Sequence, residues 1–412
     1  MARRATQSVA FAIAAIGLGV GSAGALPTDP PVELVGLAPS VTEQISYDDN
    51  LYRLPSSVDP VTIFGPKAER GDWMNLLSVR LAGRWPAGRQ DIYLDAHVDD
   101  NYFLEASDLN HVSGAGVLRW DWTAGESTGQ IGVNYQRFFP GFANYRLPDL
   151  NLVTREQYFA TGNFRFGPTW SINGSVQRAR TFQSLPVRKI DEFSSNLGSV
   201  GLQLDTKVGN QYGIDYSYTR ATFPFPTIIN ALPFDRDYHS SLVSARANYK
   251  LTTTLNLVGD WGYLKREYTL ASAAENFSGD QWHANLIWQP DEKLMFTFLG
   301  ARELTAYVDA ESQYFISNRG GMAAEWQVTR KIAIRLDAIR ESRRYVADPI
   351  APGVGSLLRR DTQNTGTLAL VVAPTRSFVI TTTYKYERRD SNLPTLIYDD
   401  AIASLSLLYS FR

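Results

Sequence analysis

From about residue 37 to the C-terminus, stretches of roughly ten residues put an apolar side chain at every second position, with turns between them. After the first 25 residues no long apolar run follows. A membrane-crossing helix needs about 20 mostly apolar residues, so the bulk of this chain could not cross a bilayer as helices. Hydrocarbon offers no partner to backbone N–H and C=O groups, and the other structure that satisfies them internally is a closed β-barrel. Its wall shows lipid on one side and water on the other, which is what alternation encodes. The expected fold is all-β: a transmembrane outer-membrane β-barrel, antiparallel and up-and-down, of about 18 strands.

The N-terminus fits export. Arg3 and Arg4 form a positive region, Val9 to Val20 is an apolar run short for a membrane span, and Ala23-Gly24-Ala25 supplies a small-x-small cleavage pattern. Residues 1–25 therefore read as a signal peptide cleaved near Ala25, residues 26–36 as a short periplasmic segment, and residues 37–412 as the barrel. An uncleaved anchor helix fits less well, because the flank after Ala25 turns polar and Pro-rich. The chain has no cysteine, which removes disulfides and thiolate chemistry. Mean hydropathy of −0.21 is too low for a helical membrane protein and suits a wall with one polar face. A net charge of −2 leaves no nucleic-acid footprint.

Eighteen segments carry the alternation, from Val41, Ile45 and Tyr47 at the front to Leu405, Leu407, Tyr409 and Phe411 at the end. Connections after even segments are tight, as at Pro86-Ala87-Gly88, Gly167-Pro168 and Val208-Gly209-Asn210. After odd segments they are long, as from Phe139 to Thr154 and from Val346 to Arg360. Bacterial barrels have short periplasmic turns and long outer loops, so this parity places both termini in the periplasm. Trp85, Trp122, Phe166, Trp170, Tyr212, Tyr249, Trp288 and Trp326 share the apolar parity beside the short turns and are expected to form a periplasmic aromatic girdle. A β-solenoid would need a fixed repeat length that is absent.

The opposite parity predicts a lumen lined by Arg80, Arg84, Asp91, Asp95, Asp99, Arg119, Asp121, Arg165, Asp205 and Asp215, and by Arg246, Lys250, Asp260, Arg266, Arg319, Glu325, Arg335, Asp337, Lys385 and Glu387. Both signs are interspersed, which favours a neutral hydrophilic solute over a selected ion. Barrels of 16–18 strands are too wide for side chains to fill, so an aqueous channel is the default. The apolar loops Phe223 to Ile229 and Ile350 to Val354 are expected to fold onto each other or into the mouth. No plug domain precedes the first segment, which argues against a TonB-dependent transporter.

Catalytic signals are thin. His111-Val112-Ser113 is similar to the His-x-Ser signature of outer-membrane lipid A deacylases, but its parity turns it inward, away from lipid. No cofactor or metal motif appears, and the expectation is a non-enzyme without cofactors.

Tyr47-Asp48-Asp49-Asn50-Leu51-Tyr52-Arg53-Leu54 resembles the opening segment of a β-barrel porin family (BBP2-like), including exosortase-associated outer-membrane proteins of the EpsL type. Later Arg- and Tyr-rich strands are similar across most of the chain. The resemblance implies an outer-membrane component of exopolysaccharide export, with the polysaccharide and a periplasmic export platform as partners. Outer-membrane lipid, lipopolysaccharide and the barrel assembly machinery are further expected partners. A general or sugar-uptake porin is the alternative, expected to show an inward loop and separate acidic and basic stripes. A lipid-modifying enzyme would need a lipid-facing nucleophile and base. Arg412 follows Phe411 where such chains usually end on an aromatic.

Where the last segment meets the first, Asp48, Asp49, Asp399 and Asp400 are expected to gather, Asp48 and Asp400 inward, Asp49 and Asp399 outward. Like charges this near need an offset. Arg53 and Arg389 are the expected neutralisers, in preference to a bridging divalent cation.

Overall fold

A computed structural model describes residues 36–411 except 145–148, 226, 230–231, 235, 270–275, 310–311 and 347–358. The leader, its cleavage site and the Ile350 to Val354 loop lie outside the described residues. Eighteen antiparallel strands form the wall. In chain order they are β1 (Gly36–Asp48), β2 (Asp72–Ala87), β3 (Gln90–Phe103), β4 (His111–Ala124), β5 (Ser127–Phe138) and β6 (Val153–Phe166). Next come β7 (Trp170–Gln183), β8 (Phe193–Asp205), β9 (Gln211–Thr222), β10 (Tyr238–Lys250), β11 (Leu255–Tyr268) and β12 (Phe277–Trp288). The ring is completed by β13 (Leu294–Asp309), β14 (Ser312–Thr329), β15 (Ile332–Val346), β16 (Arg360–Val372), β17 (Phe378–Ser391) and β18 (Tyr398–Ser410).

Each strand pairs with its chain neighbours, and β18 pairs with β1 from Ser40↔Ser410 to Asp48↔Ile402, which closes the sheet into a barrel without an edge. The register follows the sequence parity. Val79 faces Val41 and Val98 across its two ladders, and Leu368 faces Leu336 and Tyr384. These side chains point away from the barrel axis, and Val79, Val98, Val176, Ile214, Trp261 and Leu368 are among many exposed apolar residues on that face. No described helix is long and apolar enough to cross a membrane; this chain crosses with strands. An apolar outer band on a closed 18-stranded ring is the architecture of an outer-membrane barrel. Where the outer face breaks its apolar rule near the seam, the break is internally satisfied: Asn75 donates to Glu43 at 2.5 Å.

All eight connections after even strands are turns of at most five residues. Gly88 and Gly125 open two-residue turns at φ 67° and 62°, a conformation open to residues without a Cβ. At the other end the loops are longer, up to residues 49–71 between β1 and β2. One departs from the expected parity. β13 and β14, at 16 and 18 residues, are separated only by residues 310–311, so here the ribbon itself, rather than a loop, extends the wall. Residues 227–229 and 232–234 make a small hairpin within the β9–β10 loop.

Candidate functional site

The face opposite the apolar one is the interior. Arg389, on β17, donates to the carbonyl of Ala143 at 2.5 Å and to Asn144 at 2.9 Å, both in the loop after β5. Five strands, β18 and β1 to β4, lie between β17 and β5, so this contact is made through the inside of the ring.

The twenty charged residues of the lumen parity all fall on that inner face. Most are paired with an opposite charge. Arg80 meets Asp95 at 2.5 Å, Arg84 meets Asp91 at 3.0 Å, and Arg119 meets Asp121 at 2.7 Å. Tyr93 lies between Arg84 and Arg119, with their guanidinium carbons 5.5 and 4.5 Å from its ring centre. Arg165 meets Asp205 at 3.1 Å, Arg246 meets Asp215 at 3.2 Å, Arg335 meets Glu325 at 3.2 Å, and Lys385 meets Glu387 at 2.9 Å. Asp99 and Asp260 pair with His97 and His283, at 3.5 and 3.1 Å. Arg319 reaches Glu303 at 3.7 Å. Arg266 packs its guanidinium carbon 4.1 Å from the Tyr238 ring centre, and Lys250 and Asp337 share the face. Because partners come from adjacent strands or the same strand two residues on, and for Arg165 and Asp205 from strands one apart, acidic and basic groups do not segregate into stripes. Glu303, Glu341, Arg343 and Asp361 are inner charges that the sequence reading left out, although simple alternation from Ala301, Ile339 and Ala369 would have found them.

The outer mouth is built differently. Leu51, Tyr52, Leu54, Phe103, Leu109 and Phe142 form a buried apolar cluster there, from the 49–71 loop, the end of β3 and the loops after β3 and β5. Tyr52 stacks on Phe64 with ring centres 4.0 Å apart, and Phe142 packs on both at 4.9 and 5.4 Å. Arg70 stitches the 49–71 loop to itself by donating to the carbonyls of Leu54 and Pro55 at 3.2 Å and to that of Val58. Buried Asp72 accepts from the backbone N–H groups of Glu105 and Ala106 at 3.0 and 2.9 Å. Of the loops expected at the mouth, Ile350 to Val354 lies outside the described residues. In the Phe223 to Ile229 stretch, Phe223 packs on Phe193 at 5.6 Å and under Arg236.

At the seam, Arg53 bridges Asp48 and Asp400, both at 2.9 Å, and joins the first strand to the last. Burial pulls its pKa down, and the two carboxylates more than reverse this, leaving it above the ordinary arginine value. Arg53 takes a left-handed φ of 55°, a cost that the bridge offsets. Arg389 does not share the role expected of it. Its Nε lies 4.0 Å from Asp361 and its other nitrogens hold the loop after β5. Asp49 accepts from the Ala401 N–H at 2.8 Å, and Asn50 donates to the Asp399 carbonyl at 2.7 Å. The carboxylates of Asp48, Asp49 and Asp400 lie close enough to share a cation, but the arginine already occupies the space between two of them.

Trp85, Trp122, Phe166, Trp170, Tyr212, Tyr249, Trp288 and Trp326 stand on the outer face within four residues of the short turns. His111 and Ser113 have separate partners: His111 Nδ1 with the Leu109 carbonyl at 2.7 Å, Ser113 Oγ with Asn101 at 2.8 Å.

Residues 227–411 match the family described as "Putative beta-barrel porin 2". No curated protein matches the chain. Among solved structures, the siderophore receptor PirA from Pseudomonas aeruginosa is similar at 11% identity and a TM-score of 0.48, over 92% of this chain and 81% of that one. OccAB3 from Acinetobacter baumannii is similar at 9% identity and 0.48, over 91% and 99%. The outer membrane protein opdK from Pseudomonas aeruginosa is similar at 10% identity and 0.48, over 91% and 98%.

Proposed function

We propose that this chain is an outer-membrane conduit for a neutral, hydroxyl-rich polymer, an exopolysaccharide on its way out of the cell. The observation that carries this reading is the compensated inner wall. Paired arginines and carboxylates, such as Arg80 with Asp95 and Arg246 with Asp215, offer many donors and acceptors with little net field. A chain of uncharged sugars can exchange hydrogen bonds along such a wall without being trapped at one strong site. The Tyr47 to Leu54 segment and the match of residues 227–411 support a porin-type barrel. The barrel assembly machinery and a periplasmic export platform are the partners this function calls for.

A general or sugar-uptake porin is the second reading, and the inward-packed 49–71 loop favours it. The mixed charges favour the first, since that alternative carries separated stripes. In either case the apolar mouth cluster must move or be bypassed during transport.

Deleting the gene separates the two. Export predicts loss of surface polysaccharide, retention of polymer or its intermediates inside the cell, and normal growth on small sugars. Normal surface polymer with slowed uptake of small solutes overturns export in favour of the porin.

A further inference from the structure

The outer, lipid-facing side of β15 and β16 breaks the charge pairing found inside. Arg344 and Arg360 stand directly opposite each other across this ladder, and Arg340 shares their face four residues below Arg344. Side chains directly opposite on antiparallel strands have Cβ atoms about 5 Å apart, and like charges there repel. All three arginines are exposed. Among the described residues, none of the three is in an ion pair, whereas the neighbouring outer-face cations are: Arg302 with Asp280 at 3.6 Å and Arg388 with Asp390 at 3.0 Å. Immediately below lies a groove of about 330 Å³ lined by Gly320, Ala338, Arg340, Asn364, Gly366 and Tyr386. It exists because Gly320 and Gly366 flank the Arg340 and Ala338 rows without side chains; a Cβ added at Gly366 would meet nothing within 4 Å. Beneath it the face is apolar, with Leu336, Leu368 and Leu370.

We propose that this surface binds one phosphorylated glycolipid of the outer leaflet, its phosphates on Arg340, Arg344 and Arg360 and an acyl chain in the groove between Gly320 and Gly366. The charge complementarity is specific. Guanidinium groups grip phosphate oxygens with paired hydrogen bonds, and an anion between Arg344 and Arg360 turns repulsion into bridging. The position is right as well, since the cations sit at the long-loop end of the wall, where the apolar band gives way to polar residues. The site is on the outside of the barrel and is independent of what the lumen carries.

The test uses the full mature barrel, stripped of lipid in a neutral detergent and titrated with bisphosphorylated lipid A, with dioleoylphosphatidylcholine and with inorganic phosphate. Bound lipid is counted by native mass spectrometry. The expected result is one retained lipid A, held at least about tenfold more tightly than phosphatidylcholine and not displaced by millimolar phosphate. The combined variant Arg340→Gln, Arg344→Gln, Arg360→Gln should fall to the phosphatidylcholine level. Gly366→Leu, which fills the groove, should weaken retention several-fold, and Arg302→Gln should leave it unchanged. A gel shift between unheated and boiled samples verifies folding of each variant. If the triple variant does not fold, the single changes Arg344→Gln and Arg360→Gln are measured in its place. Equal retention of lipid A by wild type and arginine variants, or equal binding of phosphatidylcholine, overturns the proposal. Displacement by millimolar phosphate also overturns it, in favour of a free-anion site.

Discussion

Arg53 shows how one side chain can hold a barrel shut. Its guanidinium lies between Asp48 on the first strand and Asp400 on the last, and both carboxylates are almost wholly buried. Removing the cation leaves two buried carboxyl groups facing each other without a counter-charge. Breaking a buried pair by deleting one partner costs about 3–5 kcal/mol. Arg53→Gln is therefore expected to lower the denaturation midpoint of the detergent-folded barrel by an amount in that range. Adding Asp400→Asn should return a good part of the loss, because the remaining Asp48 then faces an amide instead of a second carboxyl. An Arg53→Gln barrel as stable as wild type would remove the seam bridge from the account. Residue-level reading of the sequence reached Asp48, Asp49 and Asp400 through alternation and Arg53 through its nearness in the chain, while Asp399 stays outside the carboxylate cluster. It went wrong on Arg389, which shares the inner parity but is spent on Ala143 and Asn144, residues of a loop more than two hundred positions away.

For a strand, the decisive property is which face meets lipid. Leu286 on β12 and Leu370 on β16 lie within the outer apolar band, where a charge has neither water nor a partner. Leu286→Lys or Leu370→Lys is expected to cost about 2–4 kcal/mol, read as a lower midpoint for unfolding in lipid vesicles. On the inner face, Ser175 shares a 2.6 Å hydrogen bond with Ser199 and Asn134 donates to Gln157 at 2.9 Å. Lysine at either position loses that one bond, worth about 1 kcal/mol, and gains water. The asymmetry between faces is the prediction, and equal costs on both would refute the inside-out assignment. Parity within each strand was legible because it depends on neighbours two residues apart. The extension of β13 and β14 was not, because residues past the membrane no longer need to alternate.

For the molecule as a whole, the ring is wide and its wall polar, yet an apolar cluster of Tyr52, Phe64, Phe142 and their neighbours packs into the mouth. Replacing residues 56–69 by a short Gly-Ser linker is expected to raise single-channel conductance in planar bilayers several-fold, since conductance is set by the narrowest section. Arg389→Ala should raise it less, by freeing only the loop after β5. Unchanged conductance in the linker variant would mean that the constriction lies elsewhere. Strand order and barrel width support this prediction; the identity of the transported polymer does not enter it.

The amino-acid sequence by itself determined the strands of the wall, the face each residue takes and the parity of turns and loops, except at the β13–β14 connection. These follow from local rules: alternation over a few residues, tight turns where glycine accepts positive φ, and the need of lipid for a closed sheet. Tertiary structure alone decided which loop enters the mouth and which cation closes the seam. It also decided where, among the described residues, charges stand outside ion pairs. The mouth cluster joins Tyr52, Phe103 and Phe142, and the outer patch joins Arg340 and Arg360 across a long loop. Apolar sequence in Phe223 to Ile229 records a need for cover, which Phe223 finds on Phe193 and under Arg236. Which surface supplies the cover depends on how the strands bring distant loops together around the ring.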